Sequence, residues 1–74
     1  MKIIPTSIQV KHYPIGELHS TKGFTPSGKE VTEFKEFLKK KLSVRATVIK
    51  GEGSVLEYFN DKGEVTKRFI NKLS

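Results

Sequence analysis

Cations and one aromatic ring are the side chains in this sequence best suited to recognising another molecule. Lys39, Lys40 and Lys41 stand in a row, Arg45 follows, and Lys67 and Arg68 lie near the end of the chain. Ammonium and guanidinium groups bind phosphates and release counterions as they do so. Tyr58 offers a ring on which a base can stack, and a ring among cations suits single-stranded nucleic acid. Lys39, Lys40, Lys41, Arg45, Tyr58, Lys67 and Arg68 are therefore the candidate nucleic-acid-binding set. Each also has an ordinary explanation. A lysine run closing a helix is favoured by the helix dipole, and scattered exposed rings are common on small sheets.

Other chemistry is poorly provided for. His12, Glu17 and His19 are close in sequence, and two imidazoles with a carboxylate can hold zinc. Their spacing matches no metal motif and no fourth ligand is offered, so neither metal nor cofactor is expected. Gly51-Glu52-Gly53 resembles a phosphate-cradling loop only in composition. Such a loop needs a helix after it, whereas a strand pattern follows here. No serine sits in a nucleophile-elbow motif. The acids are scattered, and so short a chain has little room for a ligand pocket of roughly 300 Å3. A freestanding enzyme is not expected.

Seventy-four residues make a single domain, 1–74, with a small core. There is no cysteine, so disulfides and thiolate metal sites are excluded, which fits a reducing compartment such as the cytoplasm. No apolar run is long enough to span a bilayer, and the start of the chain lacks the pattern of a signal peptide. The net charge of +6 is unevenly spread. Residues 35–50 carry six cations against Glu36, whereas residues 51–64 carry Glu52, Glu57, Asp61 and Glu64 against Lys62. Lys67, Arg68 and Lys72 then follow without an acid. A basic balance favours a polyanionic partner.

Several elements must position these residues. Residues 3–12 alternate as a strand, with Pro5 pointing to a sheet edge or a late strand start. Tyr13-Pro14-Ile15-Gly16 reads as a turn, after which residues 17–21 return as a short strand. Ser27 and Glu30 form a capping-box pattern, with Thr25 followed by Pro26 as a competing start, and Val31, Phe34, Phe37, Leu38 and Leu42 recur at helical spacing, so a helix is expected from Ser27, or one or two residues earlier, through Leu42. Residues 43–50, 55–59 and 64–70 read as an antiparallel meander, with turns at Gly51–Ser54 and Asn60–Gly63. In residues 43–50, Val44, Ala46 and Val48 point one way and Arg45, Thr47 and Ile49 the other. The expected fold is α+β, one helix packed on a small mainly antiparallel sheet in the order β(β)αβββ.

Tyr13-Pro14, Thr25-Pro26-Ser27, Phe34, Leu38, Val44-Arg45-Ala46-Thr47-Val48 and Gly51 together resemble the carboxy-terminal stretch of radical-SAM RNA adenine methyltransferases. That family's cluster-binding domain and downstream cysteine motif have no counterpart here, so the resemblance implies no activity. The sequence reading is a small basic nucleic-acid-binding module without catalysis. Its alternative is a protein-interaction module: an inhibitor, an adaptor, or a subunit that pairs with itself through an edge strand.

Overall fold

A computed structural model of the chain describes residues 3–72. It is all β. Six antiparallel strands form one open sheet in chain order: β1 (Ile4–Tyr13), β2 (Gly16–Phe24), β3 (Glu30–Leu38), β4 (Lys41–Ile49), β5 (Gly53–Phe59) and β6 (Val65–Lys72). Among the described residues only strands adjacent in sequence touch, so β1 and β6 are the sheet's edges there and do not close it into a barrel. Among the described residues no helix is long and apolar enough to cross a membrane.

The expected α+β fold is thus corrected. Residues assigned to a helix from Ser27 through Leu42 form a turn, all of β3, the next turn and the start of β4. The four apolar residues Val31, Phe34, Phe37 and Leu38 match the helical period better than the strand period. At period 3.6 they make one stripe. At period 2 Val31 and Phe37 fall on one face and Phe34 and Leu38 on the other. Valine, threonine and phenylalanine favour the extended form. Pairing then decides, because β2 and β4 flank β3 along its whole length and take up its backbone groups on both sides.

Local chemistry agrees with the strand. Thr25, rather than a Ser27 cap, organises the turn before β3. The Thr25 carbonyl accepts the Gly28 N–H at 2.9 Å, and Thr25 Oγ1 accepts the Lys29 N–H at 3.1 Å. Ser27 Oγ lies 2.8 Å from that same hydroxyl. After β3, Lys39 and Lys40 have φ of 52° and 66°. Two consecutive positive φ values define the two-residue turn whose twist matches a β-hairpin. The lysine run is therefore a hairpin tip, not a helix end.

The other expected strands are present, the first shifted by one residue and the rest longer, and the anticipated three-strand meander extends to all six. Pro5 does lie on an edge strand, beside a bulge between Pro5 and Ser7. Register fixes the two faces. One carries His19, Lys35, Arg45, Glu57 and Arg68 in a single row across β2 to β6. The other carries Ser20, Phe34, Ala46, Leu56 and Phe69 in the next row. Val31, on the first face, is the only buried apolar side chain among the described residues. The molecule is a slab of 35 × 26 × 16 Å with an accessible surface of 5747 Å2. A compact monomer of this mass exposes only about 4,600 Å2.

Candidate interaction surface

The polar face is a charge ladder whose members satisfy one another. Glu57 on β5 is buried between Arg45 of β4 and Arg68 of β6. Arg45 donates Nε and Nη2 to Glu57 Oε1 at 3.0 and 2.6 Å. Arg68 donates the same pair of groups to Oε2 at 3.1 and 2.9 Å. The hydrogen bond from Arg45, helped by that from Arg68 and by both positive charges, holds the Glu57 carboxyl below the usual carboxylate range, although burial pushes the other way. Arg45 also lies 5.4 Å from the centre of the Phe59 ring. Lys35, directly across from Arg45, turns instead to Glu33 at 3.4 Å, which relieves the clash of like charges.

On this side the sheet leaves an open trough of about 640 Å3. Its charged lining is balanced, with Glu33, Glu52 and Glu57 against Lys35, Arg45 and Lys72. At the other end of the same face His12 and His19 flank Glu17, their nitrogens 3.7 and 3.6 Å from its two oxygens. Antiparallel pairing of β1 with β2 brings these three together. Among the described residues no group of histidine and carboxylate side chains is arranged to hold a metal.

The opposite face is apolar at its centre. Phe34, Ala46, Leu56 and Phe69 cross β3 to β6 in register, flanked by Val44 with Tyr58 and by Val48. Tyr58 meets Phe69 edge-on, with ring centres 6.2 Å apart. Among the described residues no other element packs over them. Phe34 is 39% exposed, Tyr58 38%, Val48 44% and Phe69 56%. In the centre of β3 to β6 the charged side chains of this face are Glu36 and Lys67, which lie in one row with Val44 and Tyr58 between them.

The seven residues of the predicted nucleic-acid set fall in three places. Arg45 and Arg68 are on the polar face, bound to Glu57. Tyr58 and Lys67 are cross-strand neighbours on the apolar face. Lys39 and Lys40 are at the β3–β4 hairpin tip, with Lys41 opening β4. The structure adds Phe34, Val44, Ala46, Leu56 and Phe69 to the candidate surface. Alternation along residues 43–50 already separates Val44 and Ala46 from Arg45, but Phe34 joins them only once residues 30–38 are read as a strand. No protein-family model matches the chain, and neither a curated protein nor a solved structure matches it.

Proposed function

We propose that this chain is a small, non-catalytic interaction module that docks a protein on the apolar face of β3–β6. One observation carries the reading. A four-strand apolar row, Phe34–Ala46–Leu56–Phe69, lies open on a sheet that buries a single apolar side chain among its described residues. Exposed contiguous apolar patches on soluble proteins mark contact sites, and rings rimmed by charge suit a protein surface. The nucleic-acid reading has less support, because its cations are divided between two faces and a hairpin tip and both arginines are already paired with Glu57. A chain without cysteine suits the cytoplasm as its place of action.

Photo-crosslinking tests this. A benzoylphenylalanine is placed at Phe69 or, as a control, at Ile70, which is 57% exposed on the other face. Irradiation of the chain alone and in cell extract should give protein adducts from position 69 and few from position 70. Equal yields from both positions, or none from 69, would overturn the reading. Adducts to nucleic acid rather than protein would restore the alternative.

A further inference from the structure

We infer that the occupant of the apolar face is a second copy of this chain, packed face to face as a two-sheet sandwich. The inference rests on the reading of that face as a docking surface and adds the identity of the partner. Two sheets packed this way lie about 10 Å apart with strands nearly aligned.

Self-complementarity carries the argument. A two-fold axis close to the strand direction, running between β4 and β5, places β3 of one copy over β6 of the other and β4 over β5. It preserves position along the strands, so residues sharing a register row meet. Glu36 and Lys67 share a row. Each Glu36 therefore faces Lys67 of the second copy, and these opposite charges meet twice. In the next row Phe34 faces Phe69 of the second copy, and the small Ala46 faces the large Leu56. Small against large across the seam is what interdigitated packing requires.

Area agrees. A standard interface covers about 800 Å2 on each partner. Removing that much from 5747 Å2 brings each chain close to the exposure of a compact monomer. The edges are less suited to pairing. β1 carries Pro5 and a bulge, and β6 carries Lys67, Arg68 and Lys72 without an acid, so two β6 strands repel.

Sedimentation equilibrium over a dilution series reaching millimolar protein tests the arrangement. The wild-type chain should approach twice 8.4 kDa. Glu36→Lys and Lys67→Glu each bring like charges together at two places, so each should raise the dimer Kd at least tenfold. The double variant restores opposite charges and should return Kd to near the wild-type value. Both side chains are exposed in the single chain, and circular dichroism of each variant confirms that the sheet persists. A monomer at every concentration, or a double variant weaker than either single one, overturns the inference. If the chain stays monomeric while position 69 crosslinks to another protein, self-association falls and the docking surface stands. If it stays monomeric and position 69 yields nothing, both fall.

Discussion

Removing the charge of Glu57 tests whether the ladder of the polar face stabilises the sheet. Glu57→Gln keeps the shape of the side chain but leaves Arg45 and Arg68 beside a neutral amide. A hydrogen bond to a charged group contributes about 1.5–3 kcal/mol, and two arginines grip this carboxylate. Their side chains are 37% and 55% exposed, so both regain water when the carboxylate is lost. Discounted for that screening, the net loss is about 2 kcal/mol. A domain of this size is stable by roughly 5 kcal/mol, so the melting point should fall by about 10 °C. The pH profile gives a second signature. Because the folded state depresses the Glu57 pKa, the unfolded chain binds more protons in the window between the two values, and stability rises with pH there. The contribution is therefore complete above the unfolded value of 4.5 and is lost as pH falls through the lower, folded value. Urea denaturation followed by circular dichroism, at one protein concentration from neutral pH into acid, should show this limb in the wild type and not in Glu57→Gln. A variant as stable as wild type at neutral pH, or one that keeps the same acid limb, would refute the reasoning.

Two backbone predictions accompany it. Replacing Lys39-Lys40 by Asn-Gly supplies residues that tolerate the positive φ of this turn and should stabilise the fold by about 1 kcal/mol, measured as a higher urea midpoint. The same variant removes two cations, so oligonucleotide anisotropy across a salt series reports whether the hairpin tip contacts phosphate; unchanged anisotropy is expected. Gly53→Ala should destabilise by about 2 kcal/mol or more, since a Cβ would lie 2.1 Å from the Asn71 carbonyl oxygen and φ here is 132°. A thermal melt unchanged from wild type would contradict that backbone geometry.

How much was legible follows from what each signal encodes. Alternation is a local property, so residues 43–50 separated Val44, Ala46 and Val48 from Arg45, Thr47 and Ile49 before any neighbour was known. Turn chemistry is local too, and Pro14, Gly51 and Asn60–Gly63 marked the reversals where they occur. Residues 30–38 were not legible, because their apolar positions form a helix stripe and, in the strand, divide between the two faces instead of alternating. Only hydrogen bonding from β2 and β4 on both sides selected the strand, and neither partner lies within the local window in which a period is read. The candidate surface failed to be read for the same reason. Arg45, Glu57 and Arg68 lie on three strands, and it is cross-strand register that turns two of the expected phosphate-binding cations into the partners of one buried carboxylate. The sequence by itself determined the alternation of residues 43–50, the turns outside residues 25–40 and how charge is spread along the chain. Tertiary structure decided which alternating faces align, since register adds a fixed neighbour to every residue and no single segment contains its neighbour's identity.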